Sequence, residues 1–438
     1  MKKLIASALG LLGLLAAPWA VAALPISHWT AGNGAQIYFM EAHNLPIVDI
    51  RIDWDGGSRR DPEGQAGTAD ALALMLGKGV AAQGSQPALD ENQLADAWAD
   101  LGTQPAFGAD DDRFSASLRS LSRADILPKA VTLLARQIAH PSLSEKVWAR
   151  EQSKAIAALE EADTRAPVIA QKAFTRSVYG ASPYGAIPSA SSLRAIQTAG
   201  LRHFAQSYLT PCQARISLVG DLSHAQAEQL AAQLMAGLPA SCPKLPALAA
   251  TQDLTQAKTE RITRPSAQTQ VLMGQIAIAR NDPDFFAFLV GNHILGGGGF
   301  SSRLTEVVRE QNGLCYSIYS TFNPLRDRGA FLIGFQTRPA QAARAIALSQ
   351  QVLRDFVQHG PSAPELQAAK ANLMGGFPAR MDSNAKLLDM LANIAWNDLP
   401  LDYLDHWTAK INAVQISDIQ RAFARIQPQR QVLVEVGP

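Results

Sequence analysis

The chain has 438 residues and a formal net charge of +1, with 47% hydrophobic and 18% charged residues. This ordinary globular composition excludes an intrinsically disordered chain, and the near balance of charge leaves no basic stripe of the kind that binds nucleic acid. The length predicts two or more domains, because a single hydrophobic core rarely grows past ~250–300 residues.

The first 23 residues have the pattern of a secretory signal peptide. Two lysines precede an apolar run over 4–17, and small residues then offer a cleavage site near Ala22 or Ala23. The alternative, a membrane anchor, needs ~20 apolar residues, whereas this run is shorter and is followed by Pro18. We therefore expect export to a bacterial periplasm, with the signal peptide removed and no membrane partner.

Hydrophobic periodicity predicts both helices and strands. In chain order the predicted elements are strands over 36–40 and 47–54, helices over 91–101 and 143–162, a strand over 215–219, a helix over 225–238, a strand over 269–278 and a helix over 340–356. Strands and helices mix without strict alternation, which favours the α+β class, with mixed or antiparallel sheets packed against helices.

Two segments about 218 positions apart resemble each other, 195–220 and 413–437. In each, an amphipathic helix precedes a β-branched strand that ends in glycine. We therefore predict two homologous domains, over 24–240 and 266–438. Prolines and polar residues interrupt the periodicity between them, which predicts an extended linker over 241–265.

Three cysteines in an exported protein suggest a disulfide. Cys212 and Cys242 are the natural pair, because the predicted strand between them rises ~20 Å and the predicted helix returns by about as much. The alternative is two unpaired thiols. With the pair formed, Cys315 stays free.

Two glycine-containing stretches, one in each half, carry the most specific pattern. The first stretch covers 43–48 and 57–67, and residues 57–67 read Gly-Ser-Arg-Arg-Asp-Pro-Glu-Gly-Gln-Ala-Gly. The second stretch covers 295–304, which read Leu-Gly-Gly-Gly-Gly-Phe-Ser-Ser-Arg-Leu, and it continues through 308–317. The first resembles the entry to the active-site helix of the insulinase and pitrilysin peptidase family, and the second resembles the signature of its substrate-binding domain. The resemblance implies one half of a clamshell whose chamber admits peptides, which add a strand to a sheet edge.

The catalytic motif of that family is missing. Active members carry H-x-x-E-H after such an entry, where this chain reads Asp70-Ala71-Leu72-Ala73-Leu74. Zinc needs two imidazoles one helical turn apart, and a carboxylate must take a proton from the metal-bound water. The third ligand of the family, a glutamate on a later helix, aligns with Ala158. The resemblance therefore implies neither a catalytic residue nor a metal or other cofactor in this chain.

Two other stretches suggest ligand sites at first sight. Asp110, Asp111 and Asp112 lack the alternate spacing of a calcium loop, so we interpret them as a solvated charge cluster in an exposed turn. The glycines over 296–299 are not followed by Gly-Lys-Ser or Gly-Lys-Thr, which argues against a nucleotide site.

One functional pair of the family is retained. In its catalytic complexes, an arginine and a tyrosine at the spacing of Arg309 and Tyr316 reach toward the substrate near the zinc. A guanidinium can bind a peptide carbonyl or carboxylate, and a phenol can donate to the oxyanion of the tetrahedral intermediate. The alternative is structural: Arg309 paired with Glu306 or Glu310, and Tyr316 half-buried in a strand.

The missing zinc motif and the retained Arg309 and Tyr316 together imply that this chain is the non-catalytic, substrate-binding subunit of a periplasmic, heterodimeric zinc metallopeptidase. Its partner would be a homologous H-x-x-E-H chain that carries the zinc, and its substrates would be peptides. Two alternatives remain on the same fold: a structural scaffold, and a protein that binds peptides without cleaving them.

Overall fold

The computed structural model describes residues 24–438, and the predicted signal peptide lies outside the described residues. The described part contains eleven strands: β1 (Ser27–Thr30), β2 (Gln36–Glu41), β3 (Ile47–Trp54), β4 (Pro105–Ala109), β5 (Phe114–Leu121), β6 (Arg215–Gly220), β7 (Lys258–Thr263), β8 (Thr269–Ile276), β9 (Cys315–Phe322), β10 (Ala330–Thr337) and β11 (Val432–Gly437).

Fourteen α-helices accompany the strands within residues 24–438, and none of them is both long and apolar enough to cross a membrane. They are α1 (Thr68–Leu76), α2 (Glu91–Asp100), α3 (Leu127–Ala139), α4 (Glu145–Ala162), α5 (Ala166–Tyr179), α6 (Ala190–Ala195), α7 (Thr198–Tyr208), α8 (His224–Leu234), α9 (Phe285–Asn292), α10 (Ala342–His359), α11 (Ala363–Gly375), α12 (Asn384–Trp396), α13 (Tyr403–Ala413) and α14 (Ile416–Phe423).

The strands form two sheets of the same topology. The first has the order β1-β2-β6-β3-β5-β4 and the second β7-β11-β8-β10-β9. Strands β2 and β6 are parallel, as are β7 and β11, and every other pairing is antiparallel. Apart from β1, each strand of the first sheet therefore has a counterpart in the second, which confirms the prediction of two homologous α+β domains.

The predicted linker is too long at its carboxyl end. Residues 258–263, which it included, form the edge strand β7, and Lys258 pairs with Val432 of β11. The strand Lys-Thr-Glu-Arg-Ile-Thr has only Glu260 and Ile262 partly buried, so it lacks the apolar run that predicts a buried strand. Residues 241–257 contain no helix or strand. The other domain limits remain predictions.

Each domain contributes one helix to the sheet of the other. Helix α5, from the first half, packs its apolar residues Ala173 and Phe174 against β8 and β11, in one cluster with Leu272. Helix α12, from the second half, covers β6 and β3, and Leu391 lies in the same hydrophobic core as Met40. Because separating the domains would expose both helix faces to water, this exchange joins the two halves firmly.

The disulfide connects the start of β6 to the segment that follows α8. Cys212 and Cys242 are bonded, with 5.9 Å between their Cα atoms and a separation of 30 residues. Cys315 is a free, partly buried thiol. Burial raises the pKa of this thiol to about 11, so at neutral pH it is protonated and poorly reactive.

We expect the disulfide to stabilise the fold measurably. Removing it by replacing both Cys212 and Cys242 with alanine should lower the free energy of unfolding by ~3–4 kcal/mol, because the open chain gains loop entropy when unfolded. Urea unfolding measures the change. The control is Cys315→Ala, which replaces a cysteine that is not part of the disulfide. An unreduced tryptic digest should show the two peptides joined; two free thiols after periplasmic expression would contradict the prediction.

Candidate functional site

The segment before α1 holds the start of that helix in place. The Asp61 carboxylate accepts hydrogen bonds from the backbone N–H of Gly67 at 2.6 Å and of Ala69 at 2.8 Å. Gly67 has φ +101°, and a Cβ there would lie 2.8 Å from the Leu193 side chain, so the position requires glycine. The stretch over 57–67 thus fixes the start of α1 by hydrogen bonds and by a glycine turn.

The degenerate motif presents one carboxylate and two apolar side chains. Asp70 is exposed on α1, Ala73 is buried with 6% exposure, and Leu74 is 40% exposed. Ala158 is exposed on α4. Protein atoms around the carboxyl group of Asp70 desolvate it and raise its pKa. Burial, with a smaller contribution from the charge of Asp70, raises the pKa of Asp61 to about 6.

Within residues 24–438, no group of three or more His, Cys, Asp or Glu side chains is placed to hold a metal ion. We predict that the purified mature chain binds no stoichiometric zinc and cleaves no peptide, because helix α1 offers no imidazole and has Ala73 where the family has its base. Metal analysis and a peptidase assay of the isolated chain test this. One tightly held zinc per chain would show it to be wrong.

Restoring the zinc motif should be difficult because one of its positions is buried. Leu74 is exposed enough to accept histidine, whereas Ala73→Glu places a carboxylate at a buried position. The triple variant Asp70→His, Ala73→Glu, Leu74→His should still lack tight zinc unless Ala158→Glu adds the third ligand.

The interpretation of the three consecutive aspartates as a solvated cluster is wrong for Asp112. Asp112 is 5% exposed and forms an ion pair with Arg59 at 3.2 Å, and it accepts a hydrogen bond from the Tyr184 hydroxyl at 2.5 Å. Its other oxygen accepts from the backbone N–H of Arg326, in the second half of the chain, at 2.8 Å. Asp112 is therefore a buried structural residue between the domains.

Asp111 beside it has a pKa of about 6, raised first by burial and then by the neighbouring aspartates, including Asp70. Asp61, Asp70 and Asp111 thus make the surroundings of the degenerate motif acidic.

Arg309 and Tyr316 lie together on the second domain. Arg309 belongs to a π-helical segment, Thr305–Gln311, and Tyr316 is the second residue of β9. The Arg309 Cζ atom is 5.3 Å from the centre of the Tyr316 ring and 4.6 Å from that of Phe300. Arg309 also pairs with Glu310 at 3.2 Å. The guanidinium is thus held between two aromatic rings, which is a favourable cation–π arrangement.

The aromatic residues of this cluster are unusually exposed. Tyr316 is 84% exposed and Phe300 is 72% exposed, whereas the sequence-based alternative expected a half-buried Tyr316. Sequence reasoning missed Phe300 as a separate contact residue. The sequence feature that could have indicated Phe300 is its position directly after four glycines, where a large apolar side chain is left at the surface.

A second feature not assigned from the sequence is the free edge of the first sheet. Strand β4 pairs only with β5 among the described strands, and α1 lies directly beside it. An edge strand with unpaired backbone groups can accept an extended peptide as a further strand. The edge next to the degenerate motif thus has the chemistry for peptide binding.

The fold and the site together define a zinc-peptidase scaffold without its metal ligands. Comparison with known proteins gives the same class: residues 195–373 match the family model described as the peptidase M16 inactive domain. A crystal structure of a peptidase M16 inactive domain from Pseudomonas fluorescens has 33% sequence identity and a TM-score of 0.89, and the match covers 95% of this chain and 98% of that one. The chain therefore belongs to the peptidase M16 family.

More distant proteins show the same relationship. The non-peptidase homolog YmxG of Helicobacter pylori is 24% identical over 89% of both chains. The periplasmic protease PqqL of Escherichia coli is 18% identical with a TM-score of 0.79, and the match covers 95% of this chain and 46% of PqqL, which shows a shared fold.

Proposed function

We propose that this chain is the non-catalytic, substrate-binding subunit of a heterodimeric zinc metallopeptidase in the periplasm. Its partner is a homologous chain with an intact H-x-x-E-H motif, which holds the zinc. The observation that carries the proposal is the absence of the metal ligands from α1 and α4 combined with a partly exposed Arg309 packed against an exposed Tyr316. A tyrosine that is 84% exposed contributes little to the core, so its position is better explained by contact with another molecule.

The proposed chemistry divides the work between the subunits. The H-x-x-E-H residues of the partner would hold the zinc, which would supply the activated water for the attack. Arg309 is a fixed cation that binds a substrate carbonyl or carboxylate, and the stacked rings restrict its rotamers before substrate arrives. The Tyr316 hydroxyl makes no hydrogen bond with other described residues, so it is available to donate to the oxyanion that forms during cleavage.

Co-expression of the exported chain with an H-x-x-E-H homologue tests the proposal. We expect a co-purifying complex with zinc in the partner, and peptidase activity well above that of either chain alone. A matched complex, in which glutamine replaces the glutamate of the partner's H-x-x-E-H motif, controls for contaminating proteases. Failure to form a complex, or equal activity of the partner alone, would contradict the proposal.

Peptide binding without cleavage is the second candidate, and the name of the Helicobacter pylori relative, a non-peptidase homolog, favours it. In that case the chain binds peptides, but adding it to an H-x-x-E-H homologue does not increase the peptidase activity.

A further inference from the structure

A groove beside Tyr316 lies on the face of the second sheet that α5 only partly covers. Helix α5 packs over β8 and β11, and Leu332 of β10 belongs to the same apolar cluster, so β9 and the end of β10 at Gln336 are what remains open on this face. The groove between the start of α5 and these strands has a volume of about 430 Å³ and has Tyr316 and Tyr319 along one side. An adjoining cavity of about 600 Å³ shares four of its residues and continues past Pro167. Both volumes are in the range of pockets that bind ligands.

The lining of this groove is polar but uncharged. None of the ten described residues that line it carries a charge, and four of them are glutamines: Gln171, Gln268, Gln270 and Gln336. The first charged side chain along its extension is that of Arg165, in the adjoining cavity. The chain as a whole is richer in charge, because 77 of its 438 residues are Lys, Arg, Asp or Glu (39 and 38).

The carboxamides are arranged to bind backbone amides. Gln270 and Gln336 are direct cross-strand neighbours, and the Gln336 amide nitrogen donates to the Gln270 oxygen at 2.8 Å. Gln270 is 7% exposed and its own nitrogen donates to the carbonyl of Phe335 at 3.3 Å, so its oxygen holds Gln336 in one orientation. The Gln336 oxygen has no partner among the described residues and, like its second N–H, is available to a ligand.

The floor of the groove is shaped by a glycine. Gly334 lies between Leu272 and Tyr319 in register, and a Cβ at that position would be 2.7 Å from the Tyr319 hydroxyl. The Tyr319 ring can therefore lie across the sheet beside the buried Leu272. The groove offers an apolar floor with amides and hydroxyls above it, which suits an extended peptide with small, polar or aromatic side chains.

We infer that this groove binds an extended, uncharged segment of the peptide substrate, adjacent to the part held by Tyr316. The inference rests on the proposed function and specifies its substrate class: peptides whose segment in the groove lacks Lys, Arg, Asp and Glu. Arg309 lies against the Tyr316 ring but already pairs with Glu310. A charged side chain placed among the glutamines would lose part of its hydration and find no opposite charge among the lining residues, so charged segments are disfavoured.

Peptide binding by the isolated mature chain tests this inference without a partner subunit. The probes are three dye-labelled, end-blocked octapeptides of Gln, Ser, Thr and Tyr that differ at one central residue, which is Gln, Glu or Lys. Fluorescence anisotropy should give a Kd roughly ten-fold weaker for each charged peptide than for the neutral one, since an unpaired charge is desolvated on binding.

The variant Gln336→Glu adds one carboxylate to the groove and should change the order of affinities. We expect the Lys peptide to recover to within about threefold of the neutral peptide, and the Glu peptide to weaken further. Gln229→Glu adds the same charge to an exposed position on α8 and should leave the order unchanged. Circular dichroism and thermal unfolding check that both variants fold.

Equal affinity of wild type for all three peptides, the same order in Gln336→Glu as in wild type, or no binding at all would overturn the inference. None of these results bears on the activity of the complex, which tests the proposed function separately.

Discussion

Replacing Tyr316 by phenylalanine should lower kcat of the assembled complex by about 10²–10³-fold, and Arg309→Ala should lower kcat/KM by a similar factor. Tyr316→Phe removes one hydroxyl donor without changing the ring that packs on Arg309, and the loss of a single oxyanion donor typically has this effect. The measurement is peptidase activity at matched zinc content, with the fraction of complex determined by sizing. A loss in kcat with little change in KM indicates action in the transition state.

Controls for these two variants come from helix α7. Tyr208→Phe and Arg202→Ala make the same chemical changes at positions outside the proposed site, and both should leave kcat and KM within about twofold of wild type. Full activity of the double variant Arg309→Ala, Tyr316→Phe would remove the catalytic-support role. Loss of activity only through dissociation of the complex would instead favour the structural scaffold.

Replacing Asp112 by alanine should lower the free energy of unfolding by about 3–5 kcal/mol, which is typical when one partner of a buried ion pair is removed. Arg59, 8% exposed, would keep Asp55, at 2.9 Å, as its one acidic partner among the described residues, and the Tyr184 hydroxyl and the Arg326 N–H would lose their acceptor. Urea unfolding of the mature chain gives the change.

A surface ion pair provides the comparison for Asp112. Asp125 pairs with Arg123 at 2.7 Å, and both side chains are 60% exposed, so Asp125→Ala should be far less destabilising than Asp112→Ala. Asp112→Asn keeps one acceptor oxygen and should fall between the two. If Asp112→Ala were no more destabilising than Asp125→Ala, the contact between the domains would not depend on this carboxylate.

Several features followed from the sequence because they depend on residue type and local period. Strand Ile47–Trp54 was predicted with its observed limits, since from Val48 onward large apolar residues alternate with charged ones, which is the period of a strand. The repeated helix and strand over 195–220 and 413–437 predicted the duplication, which the matching sheets confirm. The absence of zinc ligands at Asp70, Ala73 and Leu74 needed only the family resemblance and the chemistry of the side chains.

Other features could not be predicted, because periodicity tells which face of an element is buried but not what covers it. Helix α5 has an apolar face in the sequence, yet only the tertiary structure shows that the sheet of the other domain covers it. The same limit applies to Asp112, whose partners Tyr184 and Arg326 are 72 and 214 residues away. A run of three aspartates looks solvated until those partners are known.

The sequence by itself determined the family, the two-domain α+β architecture and the absence of the metal ligands, because these properties follow from residue types at short, fixed spacings. Only the tertiary structure decided that the domains exchange helices, that β7 begins the second sheet, and that the groove beside Tyr316 is lined without charge. These properties arise from residues distant in the chain: Gln171 on α5 and Gln336 on β10 line one groove although 165 residues separate them. Such proximity depends on how the whole chain packs, and no local pattern encodes it.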